Sequence, residues 1–271
     1  MFTKLMAHMI AGYPTMEQSM DIARALAAGG ADYIEVQFPF TDPSADGPAI
    51  EKATQAALDA GFKVADGFAL MRRLTDELDI PLFIMTYGSL VFARGAADFC
   101  DRAAQAGVSG LIIPDLPPDY CEGLYDEGKK RGLAIVPVIA PEISEKRLQA
   151  IGALQPEYIY TALRLGITGK HTSLDEKTIA YLDRVGKLGA KVVAGFGVRS
   201  FEQMRALSGH AHAAAVGSYF LECLREAGEG ADASAVLIKA ARALRAYPNR
   251  RFSFFSLLNM MTEKANSIIA T

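Results

Sequence analysis

Apolar residues along the chain fall into two alternating patterns, short dense runs and longer runs with helical spacing. The dense runs span 5–12, 33–38, 81–87, 110–115, 134–140, 158–163, 191–197 and 213–220. They are short and almost continuously apolar, which suits parallel strands covered on both faces. Between them the apolar spacing lengthens to three and four residues. Over 16–30, Met20, Ile22, Ala23, Leu26 and Ala27 recur at helical steps, and Gly29-Gly30 supplies a stop signal. Eight strands, each followed by a helix at about 30 residues per unit, predict a single-domain α/β fold, a (β/α)8 or TIM barrel. A doubly wound sheet is the rival, but it carries a glycine-rich fingerprint after its first strand, and Gly12-Tyr13-Pro14 is not one.

The barrel is expected over 1–247, with 248–271 as an apolar tail that packs on its exterior or on another chain. Two segments break the even spacing. A helical stretch over 47–60 is inserted before the helix at 65–78, and an insertion after a barrel strand sits at the catalytic end. The polar, glycine-punctuated stretch 164–173 has the composition of a lid.

Composition narrows the class. Of 271 residues, 51% are hydrophobic and 22% charged, enough for a sizeable core. Lys and Arg number 28 against 31 Asp and Glu, a net charge of −3, which argues against a nucleic-acid partner. No apolar run approaches the roughly 18 residues of a membrane span, and the N-terminus has no secretion-signal pattern. Cys100, Cys121 and Cys223 are unclustered, as expected of reduced thiols. A cytoplasmic enzyme that binds neither nucleic acid nor membrane is the expectation.

The densest polar cluster follows the second strand. Glu35 lies between Ile34 and Val36, where a carboxylate loses hydration and gains proton affinity useful for acid/base work. Asp46 lies in the next loop, expected to stay ionised and free to accept a hydrogen bond from a substrate N–H, or else to cap the helix after Gly47. A second constellation comprises Gly166, Thr168 and Gly169 after strand six, Gly195-Phe196-Gly197 at strand seven, and Gly217-Ser218 at strand eight. Glycines at late strand ends allow backbone N–H groups to approach a phosphate, though ordinary turns also use them. Tyr160 reads equally as core or as a hydroxyl aimed inward, and Asp115 reads first as a loop cap. His8, His171, His210 and His212 show no metal spacing and read as structural or solvated, so no metal site is expected.

The run Ile34-Glu35-Val36-Gln37-Phe38-Pro39-Phe40-Thr41-Asp42-Pro43-Ser44-Ala45-Asp46-Gly47-Pro48 closely resembles the signature of the tryptophan synthase alpha chain family. Segments 11–14, 85–87, 108–117, 166–169, 194–198 and 216–218 extend the resemblance in order and spacing. It implies cleavage of indole-3-glycerol phosphate to indole and glyceraldehyde 3-phosphate. It implies Glu35 as general acid/base, Asp46 as holder of the indole N–H, and Tyr160 beside that carboxylate. Thr168 and Gly169 would belong to a closing loop, and Phe196, Gly197, Gly217 and Ser218 to the substrate's phosphate end. Asp42 and Asp115 would face a pyridoxal-phosphate-bearing beta chain in an alpha2beta2 complex, with no cofactor or metal in this chain. A stand-alone lyase, or a weak subunit that activates a beta chain, are the alternatives. The chain departs from the family pattern at His8, which replaces an apolar or aromatic pocket residue, at Gln37, usually Gly, and at Ser89, usually Asn. The short N-terminal helix usual in the family is expected to be missing, with the tail as a substitute cover.

Overall fold

The computed structural model describes residues 2–163, 174–195, 197–228 and 230–245. The expected tail at 248–271 and the stretch 164–173 lie outside these residues. Among the described residues the strands are β1 (Lys4–Ile10), β2 (Tyr33–Gln37), β3 (Leu82–Met85), β4 (Gly110–Ile112) and β5 (Ala134–Val136), followed by β6 (Val138–Ile139), β7 (Tyr158–Ala162), β8 (Lys191–Gly195) and β9 (Ala213–Val216). All pair in parallel, in the order β5-β4-β3-β2-β1-β9-β8-β7-β6.

The two ends of that order are halves of one strand. Only Pro137 separates β5 from β6, and proline has no N–H to give to a ladder. Its carbonyl still accepts from Tyr160 N at 2.9 Å, tying the break to β7. β5 pairs with β4 and β6 with β7, so the predicted fifth strand closes the ring. The result is the eight-unit barrel of the sequence pattern, with its fifth strand interrupted.

Helices fill the connections as the spacing predicts. α1 (Met16–Ala28) follows β1, capped by the Thr15 hydroxyl, which accepts from Gln18 N. The insertion after β2 is α2 (Pro48–Asp59), with proline in its first turn where no intrahelical N–H bond is lost. α3 (Val64–Glu77), α4 (Gly88–Phe92), α5 (Ala96–Gln105), α6 (Leu124–Lys130), α7 (Glu145–Ala153) and α8 (Glu176–Gly186) continue around the ring. α9 (Phe201–Ala206), α10 (Ser218–Ala227) and α11 (Ala233–Leu244) complete it. Most observed strands end before their apolar runs do, and one boundary differs most. The predicted strand 213–220 ends at Val216, because Gly217 turns the chain and Ser218 opens α10. An apolar stretch buried in a sheet and the buried face of a helix read alike over four residues.

Strand residues alternate between two cores. Leu5, Ala7 and Met9 on β1, with Ile34 and Val36 on β2, face the helical layer. Met6, Tyr33, Phe83, Met85, Ile112, Tyr158 and Val193 fill the barrel interior. That parity sends Glu35 and Gln37 to the same side as Tyr33, into the barrel. At the end where the strands begin, the Tyr33 hydroxyl meets His212 Nε2 at 2.8 Å, and Tyr33, Phe83 and Tyr158 pack edge to face. His210 lies outside, with Nδ1 2.7 Å from Asp183. Both histidines are structural, as read from sequence.

Candidate active site

The site is built at the C-terminal ends of the strands. β1 and β2 are in register with His8 opposite Glu35 and Ile10 opposite Gln37. His8 and Glu35 therefore project together into the barrel, with His8 Nδ1 3.4 Å from Glu35 Oε2 and both side chains buried. One step further along β2, Gln37 donates from Nε2 to Asp46 Oδ2 at 2.6 Å and to Thr54 Oγ1 on α2 at 3.4 Å.

The loop carrying Asp46 is held from two sides. A turn joins Asp46 N to the Pro43 carbonyl, and Ala45 N donates to the Tyr87 hydroxyl at 3.2 Å. Tyr87 also stacks on Phe40, their ring centres 5.4 Å apart. The loop thus folds inward, and Asp46 is only 4% exposed. One sequence reading of this residue is corrected: it does not cap α2, whose N-cap Gly47 has no side-chain bond.

A cavity of about 670 Å3, counting its open mouth, joins these groups. His8, Glu35 and Asp46 line it, with Tyr160, Met85 and Ile112 as walls. Gly197, Gly217 and Ser218 line it too, where α10 begins and its free N–H groups lie, and Gly217 packs against the His8 ring. Gly197 adopts a φ of +107°, a conformation that a side chain would strain. Arg199 and Tyr219 also line the cavity, and the Arg199 guanidinium is bound by Glu222.

Burial sets the charges. Loss of hydration pushes the Asp46 carboxyl up to about 6, partly opposed by the Gln37 hydrogen bond and by His8. The carboxyl remains mostly ionised at neutral pH. Burial works against a charge on His8, yet Glu35, Asp46 and Gln37 together outweigh it, and its proton is held above the ordinary histidine range. Burial, with Glu35 and Asp46 nearby, keeps the Tyr160 phenol protonated. An ionised carboxylate, a second carboxylate facing an imidazole, and a neutral phenol surround one dry hollow. Such a set can move a proton at one point and hold a cation at another.

The structure brings together Glu35, Asp46, Tyr160, Gly197, Gly217 and Ser218 from the sequence expectation. Thr168, Gly169 and Phe196 lie outside the described residues. Asp42 and Asp115 are exposed and away from the cavity, and Asp115 Oδ1 accepts from Gly88 N at 2.9 Å, the loop-capping role. Ser89 is exposed on α4 beside it. His8 is buried and lines the cavity, at a position that the resemblance already assigns to the pocket. Its signal was strand parity: Met6, His8 and Ile10 share a face, and on β2 so do Tyr33, Glu35 and Gln37. Arg199 carried no motif.

Among the described residues no group of three or more His, Cys, Asp or Glu could hold a metal ion, and no helix is long and apolar enough to cross a membrane. The sequence model of the family described as tryptophan synthase alpha chain matches residues 2–247. The tryptophan synthase alpha chain of Helicobacter hepaticus is 40% identical, the match covering 82% of this chain and 86% of that one. That of Methanosarcina mazei is also 40% identical, over 89% and 87%. A structure of Mycobacterium tuberculosis tryptophan synthase superposes with a TM-score of 0.82 at 30% identity, covering 90% and 92% of the two chains. The tryptophan synthase complex from Pyrococcus furiosus gives 0.81 at 27% identity, over 91% and 100%.

Proposed function

The chain belongs to the tryptophan synthase alpha chain family, and from that premise we propose that it is a lyase cleaving indole-3-glycerol phosphate to indole and glyceraldehyde 3-phosphate. The observation that carries this reading is the pair of buried carboxylates, Glu35 and Asp46, lining one cavity together with Gly197, Gly217 and Ser218.

The reaction is a retro-aldol cleavage. A proton is delivered to the indole ring carbon that bears the glycerol chain, and the ring nitrogen becomes positively charged. A second proton leaves the adjacent glycerol hydroxyl. Its electron pair forms the aldehyde, the carbon–carbon bond breaks, and the bonding pair returns to the ring to give neutral indole. Glu35 gives the first proton and takes the second. Asp46 accepts the indole N–H, and its negative charge offsets the cation where it develops. Gln37 fixes which Asp46 oxygen is free, by occupying Oδ2. Met85, Ile112 and the Tyr160 ring supply apolar walls for a bicyclic ring.

Backbone N–H groups at the start of α10, with Gly197 and Gly217, would hold the phosphate. Binding energy from that remote group places the reacting bond between the carboxylates. Proton transfer and charge stabilisation are all that this cleavage asks for, so the chain needs no cofactor of its own. Pyridoxal phosphate would reside in a beta chain that receives the indole. Asp42 and Asp115, both exposed, would stand on the side that meets it, in an alpha2beta2 assembly.

The test is indole release from indole-3-glycerol phosphate by the purified chain, with and without a beta chain. Cleavage that rises strongly with the beta chain is expected. High activity that ignores the beta chain supports the stand-alone lyase. No cleavage in either case overturns the proposal.

A further inference from the structure

The cavity contains more buried polar capacity than two carboxylates require. His8 Nε2, Glu35 Oε2 and Gln37 Oε1 are buried without a hydrogen-bond partner; His8 and Glu35 line the cavity, and Gln37 follows Glu35 on the same face of β2. An imidazole enclosed by apolar walls loses hydration without return, so a purely structural residue at this place on β1 would be apolar. The ring is instead set against Glu35, with Nδ1 3.4 Å from Oε2. Room for it is made on the other side, where a Cβ at Gly217 would come within 2.9 Å of His8 Cδ2. Gln37, next inward on β2, is bonded to Asp46 at 2.6 Å. The pairs Glu35–His8 and Gln37–Asp46 thus adjoin along β2, and both Gln37 and Asp46 act on the His8 ring.

We propose that His8 is a positioning residue for this reaction, a proton-bearing imidazole that orients Glu35 and, with Gln37, couples it to Asp46. This rests on the reading that Glu35 and Asp46 are the reacting pair. Two carboxylates beside one cavity repel one another whenever both are charged, and an imidazolium that faces both offsets that repulsion. That arrangement keeps Asp46 ionised for the substrate's N–H while Glu35 exchanges protons. The groups facing His8 are Glu35 and Gln37 from β2, Asp46 from the loop before α2, and Tyr160 from β7. Gly217 and Ser218, from the turn into α10, bring no ionisable side chain. Arg199 lines the same cavity but is held by Glu222.

Nitrogen-15 NMR of the full chain follows the His8 ring directly, its signal among the four histidines assigned with His8→Phe. The wild-type ring should titrate above 6.5, the ordinary histidine value. Glu35→Gln should bring it below that value, since burial then acts against weaker opposition. Gln37→Leu should move it in the same direction by a smaller amount. A His8 ring that stays neutral from pH 5 to 9 would overturn the proposal, as would a titration that ignores Glu35→Gln. In kinetics, His8→Gln should lower kcat about tenfold or more and leave KM within a few-fold, since the ring touches Glu35 and not the phosphate. A change in KM alone would also overturn it. The NMR result stands whether or not the chain cleaves indole-3-glycerol phosphate, so failure of the coupling and failure of the functional reading are separately visible.

Discussion

Asp46 pays for its position in stability. It titrates near 6 in the folded chain, while a solvated aspartate titrates near 3.9. The folded state therefore binds this proton more tightly than the unfolded one, and keeping the group ionised costs stability as the pH rises through that interval. A gap of roughly two units corresponds to about 3 kcal/mol, absent below about pH 4 and fully developed above about pH 7. Asp46→Asn should accordingly be more stable than wild type at pH 8, by up to that amount, and should lose the advantage at pH 4. Urea unfolding at the two pH values checks it; equal stability differences at both would remove the desolvation account. The same titration predicts that kcat/KM falls about tenfold per pH unit below about pH 6, where Asp46 is neutral and no longer matches a cationic ring. Glu35 was legible from sequence because a carboxylate between Ile34 and Val36 has to be explained. The inward turn of Asp46 was not, because it depends on Tyr87 and Gln37, which approach from another strand and from the opposite end of the run. His8 was legible as a pocket position only through the resemblance, and its pairing with Glu35 only through the two-residue parity of β1 and β2.

Between elements, close packing is specified by single glycines. A Cβ on Gly29, which ends α1, would lie 2.6 Å from the Cβ of Ala241 on α11 and 3.2 Å from two carbonyl oxygens. Gly29→Ala should therefore push these helices apart and destabilise the fold by about 1–3 kcal/mol. Ala241→Gly introduced alongside should recover part of the loss in a double-mutant cycle, and purely additive effects would show that the two positions do not meet. Strand number, order and approximate limits were legible because each parallel strand is an apolar run bounded by polar turns. Two details were not. Pro137 splits one run without changing its composition, and Val216 ends β9 although the next apolar residues, Tyr219, Phe220 and Leu221, continue as a helix face.

At the scale of the whole molecule, the barrel divides labour between its ends. Where the strands begin, Tyr33, Phe83, Tyr158 and His212 pack the interior closed. Where they finish, small residues and glycines leave a hollow, and the inserted loop and α2 fold Asp46 over it. The assignment of chemistry to that second end follows from the barrel pattern, while its depth and polarity emerge only when β1, β2, β7 and β9 are brought together. The account turns on Glu35 as the group that moves both protons, and the most direct test is indole formation by Glu35→Gln beside wild type, with far-ultraviolet circular dichroism recorded on the same samples. Glutamine fills the same space and cannot exchange the proton. The variant should keep the wild-type spectrum and lose at least about a hundredfold in kcat, the lower bound for removing a general acid/base. A folded Glu35→Gln protein that releases indole at the wild-type rate would contradict it.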